Sequence, residues 1–182
     1  MRRLALSLLL VVSAVTWGPA AADQNDPRLD GLFIMLKETS DPYNAIGVEN
    51  AIWIIWHETD NQGAAELLAD GTAAMHSGSY DRALELFDNL IAEAPDFAEG
   101  WNKRATVQYL RGDYEASLAD IDETLKREPR HFGALSGRGL VYTEMGQPAE
   151  AVSAFEEALE IHPSLRGARA NLEALRRLIE PI

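Results

Sequence analysis

Four histidines, His57, His76, His131 and His162, are the side chains best suited to act as metal ligands, bases or proton carriers. Their spacing assembles no site. No pair stands in H-x-x-x-H order, and His57-Glu58 lacks the second histidine of a zinc-protease motif. His76, His131 and His162 fall beside helix-ending signals, where an imidazole can meet terminal carbonyls. The chain has no cysteine, which removes thiolate metal sites, disulfides and cysteine nucleophiles. Gly133-Ala134-Leu135-Ser136-Gly137-Arg138-Gly139 has the glycines of a phosphate loop but neither its spacing nor its Lys-Ser/Thr. Ser136 has no base at a motif spacing. The acidic clusters Asp120/Asp122/Glu123 and Glu156/Glu157/Glu160 read as solvated faces rather than paired carboxylates. No catalytic residue, metal site or cofactor is predicted, and the chain is not expected to be an enzyme. Trp53 and Trp56 stay open to two readings. They pack a core at i, i+3, which is the favoured one, or they point outward as a secondary interface.

The elements that must position these residues recur with a fixed period. Pro95, Pro129 and Pro163 stand 34 residues apart, each between two apolar-periodic segments. At matching distances before them stand Gly78, Gly112 and Gly146; Ala83, Ser117 and Ala151; Phe87, Ile121 and Phe155; and Leu67, Trp101 and Leu135. Ala151, Phe155, Ala158 and Leu159 form one helical stripe. Each central glycine suits the left-handed turn that ends a helix. Ser79 and Asp113 are placed to cap the helix that follows. Each proline fits a first helical turn but cannot continue the helix before it. One unit is therefore helix, tight turn, helix, and the small residues let its two helices approach closely.

This pattern resembles the tetratricopeptide repeat family. The third unit matches best, through Leu135, Gly139, Tyr142, Gly146, Ala151, Phe155, Ala158 and Pro163, while the second departs at Gln108, Ser117 and Thr124. The resemblance implies an all-α fold, a right-handed α-solenoid of stacked helical hairpins. Three units are expected at 64–97, 98–131 and 132–165. Residues 166–182 read as an end helix with Leu172, Leu175 and Ile179 on one side, since a repeat stack must cover its last apolar face. Residues 23–63 read as a degenerate hairpin capping the array at its other end. Its first helix carries Leu29, Leu32, Phe33 and Leu36. Its second runs over Ala45–Glu58 with Ile52, Trp53, Ile55 and Trp56.

Residues 1–22 have the three-part order of a secretory signal: Arg2-Arg3, an apolar run, then Ala20-Ala21-Ala22. Cleavage is expected between Ala22 and Asp23, which gives a periplasmic or secreted address, with no membrane span in the mature form. The formal net charge is −13, and loss of the two arginines makes it more negative. That opposes nucleic acid, which needs clustered Lys and Arg, and favours a basic or neutral partner.

The family resemblance further implies that first helices line a concave groove. Its predicted lining is Leu68, Thr72, Glu99, Asn102, Lys103, Thr106, Tyr109, Gly133, Ser136, Gly137, Leu140 and Asn171. The family's carboxylate clamp of lysine, asparagine and arginine is missing, because Leu68, Thr72, Lys103, Gly133 and Gly137 occupy the corresponding positions. Arg104 is expected to pair with Asp70 of the previous unit. The resulting expectation is an envelope adaptor that binds a peptide or helix of a partner protein. The alternative is a structural homo-oligomer joined through the hairpin of Trp53 and Trp56.

Overall fold

The computed structural model describes residues 24–179; the expected signal segment and cleavage point lie outside them. The described residues form nine helices: α1 (Arg28–Glu38), α2 (Pro42–His57), α3 (Gln62–His76), α4 (Tyr80–Glu93), α5 (Ala98–Arg111), α6 (Tyr114–Arg127), α7 (Phe132–Glu144), α8 (Pro148–Ile161) and α9 (Arg166–Ile179). Helices α3/α4, α5/α6 and α7/α8 pair as hairpins, and each pair stacks on the next, with α9 closing the series on α8. The fold is an all-helical repeat solenoid.

The turn chemistry explains the pairing. Gly78, Gly112 and Gly146 have φ of +76°, +82° and +68°, and the residue after each donates its N–H five residues back, as Asp113 does to Gln108. Ser79 and Asp113 precede their helices but make no side-chain cap. The Ser79 hydroxyl accepts from Ser77 instead, and the Asp113 carboxylate pairs with Arg111. Within the first and third hairpins an aromatic ring fills the place a side chain would take. A Cβ on Gly71 would lie 2.5 Å from the Phe87 ring, and one on Gly139 would lie 2.6 Å from the Phe155 ring. Ser117, buried where the other units have alanine, donates its hydroxyl to the Ala105 carbonyl 2.8 Å away.

Arg104 does not meet Asp70. It pairs with Asp120 and Asp88, both on second helices and both at 2.7 Å. The side chain points between hairpins rather than along the row of first helices. The same register recurs one repeat later, where Arg138 reaches Asp122 at 2.7 Å. On α9, Ala168, Leu172 and Leu175 are buried, but Ile179 stands exposed at the helix end.

The N-terminal hairpin departs from its expected place. Helices α1 and α2 pair with each other, yet no packing comparable to that between repeats joins α2 to α3. Instead α1 leans on α8, and α2 crosses the array toward α5. The hairpin therefore does not extend the stack as a first unit. The reason lies in its inward stripe: Val48, Ile52, Ile55 and Trp56 share a core with Phe132 of α7, with Leu165 packed beside it. A flat end-on stack against α3 would leave that stripe without the aromatic partners that Phe132 and His131 supply.

Candidate functional site

Crossing the array brings α2 over the N-terminal ends of α5 and α7, so part of the predicted groove is filled by the chain itself. Glu99 lies in the first turn of α5, where the helix dipole favours an acid. It is 1 % exposed and four side chains close around it. Asn102 donates to Oε2 at 2.9 Å, and His131 Nε2 donates to the same oxygen at 3.2 Å. Lys103 Nζ stands 3.1 Å and His57 Nε2 3.2 Å from Oε1. Those two contacts are close as charges but too bent to be hydrogen bonds.

The tautomer of His131 follows from its second contact. Its Nδ1 accepts the backbone N–H of Ala134 at 3.0 Å and so caps α7, which leaves the proton on Nε2 facing Glu99. The imidazole also stacks on Trp56, with ring centres 4.1 Å apart and planes 8° from parallel. His131 was expected to serve carbonyls at a helix end; it serves an N–H at a helix start. Burial alone would push the Glu99 carboxyl up. The His131 hydrogen bond and the charges of Lys103 and His57 outweigh it and hold the group down at about 2. A carboxylate so held, with every neighbour internal, has no proton to give at neutral pH.

A second carboxylate–histidine contact sits further along α2. Glu49 Oε2 lies 3.1 Å from Nε2 of buried His162 at the α8–α9 turn. Between the two contacts, Trp53 lies edge-on to Phe132 and covers Gly133. Trp56 is 1 % exposed and Trp53 half-buried, so both belong to the internal seam and neither is an outward anchor. That removes the basis for oligomerisation through the tryptophans themselves.

Beyond the seam the groove stays open. A pocket of ≈ 320 Å³ lies between α5 and α7, walled by Thr106, Tyr109, Leu110, Ser136, Gly137 and Leu140, with Ala105, Ile121 and Val141 beneath. Glu49, Trp53 and Leu165 close one end of it. Asn102 and Gly133 reach its edge, but Asn102 is committed to Glu99. Thr106 is likewise committed, donating to the Asn102 carbonyl. Burial, with Glu144 and Tyr114 nearby, raises the Tyr109 phenol and keeps it protonated. A Cβ on Gly137 would meet only Ile121, at 3.9 Å, so there is free space over this residue.

The remaining predicted lining residues fall outside it. Leu68 is buried in the core of the first unit, and Thr72 of the same helix is half-buried away from the pocket. Lys103 is held by Glu99, and Asn171 donates to the Gly167 carbonyl within its own helix. Sequence reasoning missed His57, His131, Glu49 and His162 as seam residues. Two signals were available. His131 occupies the position that holds Phe97 and Leu165 in the neighbouring units, and Glu49 is the one acidic residue in α2.

The fold and groove define a helical-repeat scaffold of the kind that presents a concave surface. The sequence model of the tetratricopeptide repeat matches residues 68–121 and 111–166, and the chain belongs to that family. A TPR repeat-containing protein of Rhizobium etli is 33 % identical over 182 residues, covering 93 % of this chain and 89 % of that protein. The Hsp70-Hsp90 organizing protein of Triticum aestivum is 30 % identical over 109 residues, which are 60 % of this chain but 19 % of that protein. Among solved structures, the first TPR of Spaghetti (RPAP3) bound to the HSP90 peptide SRMEEVD has a TM-score of 0.63 and 21 % identity, covering 66 % of this chain and 95 % of that one. MamA has a TM-score of 0.61 and 19 % identity, covering 84 % of this chain and 81 % of that one. At these identities both are likenesses of fold.

Proposed function

We propose that this chain is a non-enzymatic adaptor of the bacterial cell envelope that binds a partner peptide or helix in the open half of its groove. The observation that carries the reading is the apolar pocket between α5 and α7, with free space over Gly137 and Tyr109 in its wall. Pockets of this size and lining suit a few apolar side chains of a ligand. The RPAP3 domain was solved with an acidic peptide. The pocket described here is a poor match for such a ligand. The one lysine of the predicted groove, Lys103, is neutralised by Glu99, and the chain's net charge of −13 repels acids. A neutral or basic segment with an apolar anchor fits better. An envelope address is supported by the signal-like order of residues 1–22.

Selection from a random peptide display library tests the pocket. Peptides retained by the wild-type chain should lose binding to Gly137→Arg, which fills the pocket, and weaken with Tyr109→Ala. Equal binding to all three would place the ligand elsewhere. The mass of the exported protein tests the address, with a chain beginning at Asp23 as the expected result.

A further inference from the structure

The pocket between α5 and α7 is largely apolar, and its charge comes from the helix that seals the groove. Among the described residues that line it, Glu49 of α2 is the only charged one. It stands with Trp53, one helical turn on, at the end where α2 crosses. The carboxylate is not cancelled by its neighbour. His162 Nε2 lies 3.1 Å from Glu49 Oε2, while His162 Nδ1 is buried without a partner. A second ring proton would be buried there with no acceptor, which is costly. The imidazole therefore stays neutral and donates its one N–H to Glu49, which keeps its full charge. Glu49 Oε1 has no partner among the described residues, and the side chain is 29 % exposed. Arg166 lines a neighbouring cleft that Glu49 also borders, but it makes no ion pair with this carboxylate.

No cation in the groove competes for that oxygen. Lys103 of α5 is held by Glu99, and further along the pocket Glu144, another acid, stands near Tyr109. A ligand that fills the apolar part meets a free carboxylate oxygen at the α2 end, beside an indole whose ring also attracts cations. An uncharged ligand seated there would cover Glu49 and offer no counter-charge, which disfavours it. We propose that the pocket recognises a ligand in which a lysine or arginine side chain adjoins the apolar anchor, with Glu49 as its counter-ion and the residue that sets specificity. This rests on the groove reading given above and narrows its ligand class. Glu49 then serves two partners through its two oxygens. One holds His162 and helps to dock α2, and the other reads the ligand. The crossing hairpin thus adds a polar determinant to a pocket that the repeats leave without charge.

Peptide display on the purified protein, as the cell processes it, tests this. Retained sequences should place Lys or Arg at a constant distance from an apolar residue. One such peptide, labelled and titrated, should bind about tenfold more weakly once its basic residue is replaced by methionine. Glu49→Gln keeps an acceptor for His162 and removes only the charge, and on that variant the two peptides should bind equally. Glu115→Gln changes an exposed acid outside the pocket and should preserve the difference. A difference that persists on Glu49→Gln overturns the proposal. So does one that falls equally on Glu115→Gln, which traces it to net charge. Retained peptides that lack a basic residue and are lost on Gly137→Arg also overturn it, but leave the groove reading standing. Retained peptides that bind Gly137→Arg as tightly as the wild type remove the groove reading and this inference together.

Discussion

Helices α5 and α7 occupy equivalent places in successive repeats, yet their concave faces have opposite characters. Glu99, Asn102, Lys103 and Thr106 on α5 correspond, 34 residues on, to Gly133, Ser136, Gly137 and Leu140 on α7. In the polar set Glu99 gathers two histidines and is sealed under α2, while Thr106 walls the open pocket. The small and apolar set is covered by Trp53 only at Gly133 and stays open from Gly137 onward. The repeat thus fixes where a backbone goes, and the side chains at matched positions decide whether that part of the groove is structural or available.

The sealed half should be far more sensitive to substitution. Glu99→Ala leaves His131 and Asn102 buried without their common acceptor and Lys103 without its counter-ion, and breaking such a set should cost about 3–5 kcal/mol in urea unfolding. A loss under about 1 kcal/mol would make the cluster no more than a surface pair. The ionised state of Glu99 can be checked through pH. Its folded-state pKa of about 2 lies below the ordinary 4.5, so its stabilisation is complete above pH 4.5 and is lost as pH falls toward 2. The stability gap between wild type and Glu99→Gln should therefore shrink across that window. A gap unchanged down to its lower end contradicts the assignment.

Two glycines separate the halves more finely. In Gly133→Ala the new Cβ would sit 2.6 Å from the Trp53 ring, which is wedged in the seam. Overpacking of this kind costs about 1–3 kcal/mol, only partly offset by alanine's helix propensity. Gly137→Ala meets no obstacle and should gain up to about 1 kcal/mol. Thermal unfolding of the pair should show shifts of opposite sign; equal shifts would erase the boundary drawn between them. The smallest effect belongs to Glu49→Gln. Glu49 is 29 % exposed, so its contact with His162 is partly screened and should be worth under about 1 kcal/mol. A loss as large as that of Glu99→Ala would mean the seam is sealed equally at both ends.

Much of this was legible in the residues. The 34-residue recurrence of Gly78/Gly112/Gly146 and Pro95/Pro129/Pro163 gives the hairpins, their turns and their order. Tyr109, Ser136, Gly137 and Leu140 were legible as groove residues because the family's register places them on first helices. Asn102 and Lys103 were legible as to position but not role, since nothing local shows that Glu99 draws them in. The partners of Arg104 were misread because side-chain direction, not spacing alone, selects between Asp70 and Asp120.

The sequence by itself determined the helices, the hairpins and their stacking, because helical periodicity, left-handed glycines and prolines placed just past the ends of second helices act within a few residues of one another. Only the tertiary structure decided where the N-terminal hairpin goes. Helix α2 is apolar on more than one side, so its pattern suits either an end-on stack or a crossing of the groove. The choice rests on contacts between residues far apart in the chain, Trp56 on His131, His57 on Glu99 and Glu49 on His162, which no local pattern records.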